Sequence, residues 1–137
     1  MQAIYLAGPI SGCNDTEANT WRDQIMEELK GQFLFTNPMD RDYRHINLNH
    51  LLCFNEAPGI VAADKAGIEA CDILLANIPY PSIGTAMEIY FACGLRHHVI
   101  VISRPEPAAL SPWVVVHADK VVFSLTDALE YLKGIAK

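Results

Sequence analysis

Short, nearly continuous apolar runs alternate along this chain with longer stretches in which apolar residues recur every three or four positions. Ala3–Ala7, Phe33–Thr36, Ile73–Asn77, Val99–Ser103 and Val121–Ser124 read as strands, and the segments near Glu17–Lys30, Gly59–Cys71, Thr85–Arg96 and Thr126–Ile135 read as helices. A strand that is apolar at successive positions is buried on both faces, the condition of a parallel strand covered by helices. The expected fold class is α/β, an open, doubly wound, mostly parallel five-stranded sheet flanked by helices.

In such sheets a ligand sits beyond the carboxyl ends of the strands, so the segments following them carry the chemistry. Here these are Gly8–Gly12, Asn37–Arg44, Pro79–Gly84 and the proline-rich stretch Arg104–Trp113, which reads as a loop within the domain. Gly8 and Gly12 around Ser11 resemble a phosphate or sugar cradle, although the spacing is neither that of a P-loop nor G-x-G-x-x-G.

At 137 residues the chain fits one domain, 1–137, with one site. The net charge of −6 and the lack of any basic cluster argue against a nucleic-acid partner. No apolar stretch approaches the roughly 20 residues of a membrane span, and the first residues lack a basic leader, so a cytoplasmic location is expected. Cys13, Cys53, Cys71 and Cys93 are widely spaced, and the histidines show no ligand spacing. Neither a disulfide framework, a metal site nor a cofactor is expected, and Cys71 and Cys93 read as small buried hydrophobes.

Two carboxylates stand out against this background. Glu88 is the only charged residue between Asp72 and Arg96, on a helix whose other early positions can all pack. A carboxylate buried there must be paired, hydrogen-bonded or useful. It is either a capping-box partner of Thr85 or a nucleophile kept ionised by the positive end of the helix. Asp64 shares a stripe with Val61, Ile68 and Cys71 that faces the core, while Lys65 and Glu69 take the solvent side. That makes it a buried hydrogen-bond hub or a catalytic group near Glu88. Tyr5 reads first as a strand residue with its ring in the core. Arg41 and Arg44 either grip a phosphate or offset Asp40 and Asp42 at the surface.

Taken together, Tyr5-Leu6-Ala7-Gly8-Pro9, then Asp64 with Cys71-Asp72-Ile73, then Ser82-Ile83-Gly84-Thr85-Ala86-Met87-Glu88 resemble the nucleoside 2-deoxyribosyltransferase superfamily over nearly the whole chain. This superfamily includes the deoxyribosyltransferases and the 2'-deoxynucleoside 5'-phosphate N-hydrolases, and its fold is Rossmann- or flavodoxin-like. The resemblance implies Glu88 as the nucleophile that takes up the sugar, Asp64 as the residue handling sugar and leaving group, and Tyr5 as the residue orienting the nucleophile. It also implies a homo-oligomer in which a neighbouring subunit completes each pocket, through the segment matching Ser111-Pro112-Trp113.

One position separates the subfamilies. Six residues before the glutamate, the nucleoside transferases carry an Asp and the nucleotide hydrolases a Ser, and this chain has Ser82. A hydroxyl can donate to a 5'-phosphate that a carboxylate would repel, with Ser111 as a second donor. The hydrolases' first loop, however, supplies a Ser and an Arg where this chain has Pro9 and Ser11, so Ser11, the Gly12 amide, Arg41 or Arg44 must substitute. The expected reaction is cleavage of the N-glycosidic bond of a (2'-deoxy)nucleoside 5'-monophosphate through a glycosyl-Glu88 intermediate. The alternatives are transfer of the sugar between bases and a non-catalytic nucleotide sensor.

Overall fold

The computed structural model describes residues 1–44, 53–105 and 110–136. In chain order it holds β1 (Ala3–Ala7), α1 (Asp15–Glu28), β2 (Leu34–Thr36), a one-turn 3₁₀ helix (Pro38–Arg41), α2 (Cys53–Glu69), β3 (Ile73–Ile78), α3 (Ile83–Gly94), β4 (His98–Ser103), α4 (Pro112–His117), β5 (Lys120–Val122) and α5 (Leu125–Ile135). The strands form one five-stranded sheet in the order β2-β1-β3-β4-β5, and every pairing is parallel. The expected α/β architecture is therefore the one observed.

Side chains alternate across the sheet with the period of two that a pleated strand imposes. Ile4, Leu6, Ile73, Leu75, Ile100 and Ile102 face a layer with Trp21 and Ile25 of α1, Leu29 at its C-cap, and Ala128, Leu129 and Leu132 of α5. Tyr5, Ala7, Leu74, Ala76, Val99 and Val101 face the opposite layer, with Ile68 of α2, Ile89 and Ala92 of α3 and Val114 of α4. Both faces are covered, which explains the unbroken apolar runs.

Several boundaries differ from the sequence reading, each for a local reason. The first helix starts earlier because Asn14 caps it: the side chain accepts from the Glu17 amide at 2.8 Å while Glu17 reaches back to the Asn14 amide at 3.2 Å, a capping box. α2 begins at Cys53 and carries Pro58 inside it, so the Pro58-Gly59 pair does not mark a boundary. β5 stops at Val122 because Ser124 accepts from the Asp127 amide at 3.0 Å and starts α5. The stretch expected as a loop to Trp113 ends at Ser111, where Ser111 caps α4 and Pro112 occupies its first turn; its residues 106–109 lie outside the described residues.

β1 sends its chain through α1 to one side of the sheet and β3 sends its chain through α3 to the other. The crevice beyond the carboxyl ends of these adjacent strands is thus the topological switch point, where open α/β sheets bind ligands. Among the described residues, no helix is long and apolar enough to cross a membrane.

Candidate active site

A cavity of about 750 Å³ opens at this switch point. It is lined by Tyr5 of β1, the Gly8–Ser11 segment, the Tyr80–Ser82 segment with the first turn of α3, and the two carboxylates Asp64 of α2 and Glu88 of α3. Strand and helix alternation explains the convergence: Tyr5 ends up beside the paired residue Leu74 on β3, and α2 and α3 flank that strand pair on the same layer.

Asp64 is the hub. Its Oδ1 accepts from the Tyr5 hydroxyl at 3.3 Å and from Arg41 Nη2 at 3.2 Å. Tyr5 is fully buried, as its strand position suggests, yet its phenol is not idle core. Burial, then the charges of Glu88 and Asp64, push its pKa well above the ordinary phenol range, so it stays protonated and donates. Arg41, offered by the sequence as a phosphate grip or a surface partner of Asp40 and Asp42, instead pairs with Asp64.

Glu88 is half-buried, and its pKa is pushed up to about 7, first by burial and then by the negative charge of Asp64. The Tyr5 hydrogen bond, Arg22 and Arg41 pull the other way. This corrects the expectation that the helix end keeps Glu88 fully ionised at neutral pH. Glu88 is the sixth residue of α3, past the first turn where the helix field is felt. The capping-box reading fails as well. Ser82 is the N-cap, accepting from the Thr85 amide at 3.4 Å and hydrogen-bonding the Thr85 hydroxyl at 2.9 Å, so Glu88 has no capping duty. Nor is α3 apolar because it is buried all round: Ile83, Met87 and Tyr90 are 84%, 68% and 60% exposed.

The other predicted residues divide. Gly8, Ser11, Ser82 and Gly84 line the cavity with Tyr5, Asp64 and Glu88. A Cβ on Gly8 would come within 2.9 Å of the Trp21 ring, so only glycine fits there, whereas one on Gly84 would meet open space. Gly12 turns the loop with φ +77° but does not line the cavity. Arg44 also stays outside it, held by Asp42 at 2.6 Å, Asp15 at 2.8 Å and the Cys13 carbonyl at 3.1 Å, which matches the surface reading. Ser111, the cap of α4, and Trp113 in its first turn do not line their own chain's cavity; Trp113 is exposed and stacks on His117 with ring centres 5.9 Å apart. Of the two cysteines read as buried hydrophobes, Cys71 is buried and Cys93 half-buried.

Three neighbours of the site escaped the sequence reading. Arg22 is completely buried on α1, Tyr43 lines the cavity beside Ser11, and Gly67 lets α2 press onto the Tyr5 ring. Arg22 had a signal: with Ala18, Ile25 and Leu29 it lies on the inward stripe of α1, the same anomaly that singled out Asp64.

A family model described as nucleoside 2-deoxyribosyltransferase matches residues 4–128. Among solved structures, 2-deoxyribosyltransferase from the psychrotolerant bacterium Bacillus psychrosaccharolyticus is similar with a TM-score of 0.71 at 19% identity, covering 94% of this chain and 91% of that one. The Leishmania mexicana enzyme of the same description gives 0.69 at 21% identity, covering 98% and 99%. A CMP N-glycosidase from Clostridium botulinum gives 0.60 at 14%, covering 96% and 99%. No curated protein matches the sequence. At these identities the structural likeness speaks for the fold, while the family match spans nearly the whole chain. The protein belongs to the nucleoside 2-deoxyribosyltransferase family of enzymes.

Proposed function

We propose that the chain cleaves the N-glycosidic bond of a (2'-deoxy)nucleoside 5'-monophosphate and releases the free base. The observation that carries this reading is the convergence of Glu88, Asp64 and the protonated Tyr5 hydroxyl at one cavity, where Glu88 has no structural partner among helix caps. A Glu88 oxygen bonds to C1' as the C1'–N bond breaks; the electron pair leaves with the base, which takes a proton from solvent. Water then attacks C1', gives its proton to solvent and frees the Glu88 carboxylate. Asp64, fixed by Tyr5 and Arg41, handles the sugar and the departing base, and Ser82 faces the 5' end.

In this reading a second copy of the chain completes the pocket with Ser111 and Trp113. Support comes from the exposed apolar strip of Ile83, Met87, Tyr90, Trp113 and Val116 on α3 and α4. A monomer by sedimentation at assay concentration would remove this part of the proposal.

One observation favours the alternative of sugar transfer between nucleosides. Both arginines expected near a phosphate are engaged with carboxylates, Arg41 with Asp64 and Arg44 with Asp15 and Asp42. A panel of nucleosides and 5'-monophosphates, with and without free acceptor base, decides between the two. Base release from monophosphates without acceptor supports the hydrolase; turnover only with acceptor and only from nucleosides supports the transferase. If nothing in the panel is cleaved, the reading as a non-catalytic nucleotide sensor moves ahead of both.

A further inference from the structure

Among the described residues, Arg22 is a charged side chain completely removed from solvent, and no carboxylate pairs with it there. An unpaired buried charge is costly, so its hydrogen bonds and its field must compensate. Nε donates to the Leu6 carbonyl at 3.2 Å, Nη2 to the Gly8 carbonyl at 3.1 Å, and Nη1 to the Ala18 carbonyl of its own helix. The guanidinium also lies 4.7 Å from the centre of the Trp21 ring. One rigid fork thus ties the end of β1 and the Gly8 turn to α1, and the fit is close enough that a Cβ on Gly8 would sit 3.3 Å from Nη2.

We infer that Arg22 is a positioning residue of the Glu88 site: it holds the Gly8–Ser11 wall in place and supplies a fixed positive charge that favours Glu88 as the carboxylate. The inference rests on the reading of Glu88 given above. Gly8, whose carbonyl Arg22 holds at 3.1 Å, lines the same cavity as Glu88, and the groups whose charge or hydroxyl acts on Glu88 are Asp64 from α2, Tyr5 from β1, Arg22 from α1, Arg41 from the 3₁₀ helix and Tyr43 from the following loop. Arg41 spends its charge on Asp64, the group that most opposes Glu88 ionisation after burial itself. Arg22 has no such partner, so its field is free to act on Glu88. A guanidinium stays protonated even when burial lowers its pKa, as it does here.

The test is a carbon-13 NMR titration of the Glu88 side-chain carboxyl in the full chain, with the resonance assigned by its loss in Glu88→Gln. Arg22→Met should raise the Glu88 midpoint by about one pH unit, and Arg22→Lys, which keeps the charge, should hold it within about 0.3. Arg22→Lys should still lower kcat about tenfold with a smaller change in KM, because an ammonium cannot bridge three carbonyls as a fork does. An unmoved Glu88 midpoint in folded Arg22→Met overturns the electrostatic role. Should that variant fail to fold, Arg22→Lys decides: a shifted midpoint or unchanged kcat overturns the inference. Turnover that survives Glu88→Gln would sink the nucleophile reading instead, and the titration, which needs no substrate, tells the two failures apart.

Discussion

Gly67 lies against the ring of Tyr5 so closely that a Cβ at position 67 would come within 2.9 Å of Tyr5 Cε2. The missing side chain lets α2 descend onto β1, and this approach carries Asp64, one turn earlier on the same helix, to the Tyr5 hydroxyl at 3.3 Å. A glycine in a helix costs about 1 kcal/mol relative to alanine, so this close approach comes at the expense of helix stability.

Gly67→Ala is therefore expected to separate function from stability. The helix gains about 1 kcal/mol from alanine and loses about 1–3 kcal/mol to overpacking, so the net destabilisation should be small. Displacing Asp64 from Tyr5 should lower kcat/KM at least tenfold, since misplacements of about 1 Å carry such penalties. Thermal melts and steady-state kinetics on one preparation check this. A variant with wild-type kcat/KM would mean that the α2 approach does not set the site geometry.

Tyr5→Phe removes one hydroxyl from a fully buried position. If the ring were only core, the change would leave turnover alone. Because the hydroxyl donates to Asp64 and lies in the field of Glu88, kcat should fall roughly 10- to 100-fold, the scale of a lost hydrogen bond to a charged group, about 1.5–3 kcal/mol. Unchanged kcat returns Tyr5 to a packing role.

The pKa of Glu88, pushed up to about 7, has two consequences that run in opposite directions with pH. A nucleophilic carboxylate must be ionised, so kcat/KM should rise with pH through an apparent midpoint near 7. Between the ordinary Glu value and 7 the folded chain binds more protons at this site than the unfolded chain, so the contribution of Glu88 to stability declines as pH rises through that window. Glu88→Gln, neutral throughout, should then be more stable than wild type at pH 8 by about 1–3 kcal/mol and nearly equal to it at pH 4, while turnover is abolished. Paired melts at the two pH values measure this; a Gln variant that is less stable at pH 8 would contradict it.

Much of this arrangement was legible in the sequence because it depends on period and sign. Apolar strands of the right length implied a parallel sheet, an acid on a stripe with Ile68 and Cys71 singled out Asp64, and a lone charge on an otherwise apolar helix singled out Glu88, although Val61 of the same stripe as Asp64 is exposed. What stayed hidden depends on distances between elements. Nothing local to Arg41 says that it will pair with Asp64 rather than with Asp40 or Asp42, because that choice is made by the placement of the 3₁₀ helix beside α2. Gly67 looks like an ordinary weak point of a helix until the Tyr5 ring is seen beneath it. The ionisation of Glu88 was misread because the helix field was weighed without the burial and the Asp64 charge that outweigh it.

Ser82 both caps α3 and lines the cavity, so its two roles must be separated by experiment. If it faces the 5' end of the substrate, a carboxylate in its place adds a negative charge against a phosphate. It also removes a donor whose charge-assisted hydrogen bond is typically worth about 1.5–3 kcal/mol. Ser82→Asp should then lower kcat/KM for a 5'-monophosphate at least tenfold while sparing or improving that for the matching nucleoside. If Ser82 only caps the helix, Asp caps equally well, and its charge near the helix start is mildly stabilising, so neither substrate is affected. The ratio of the two kcat/KM values, measured for both variants at pH 8 where Glu88 is mostly ionised, is the deciding quantity. An unchanged ratio ends the 5'-phosphate reading and leaves the nucleoside transferase as the better account of this cavity.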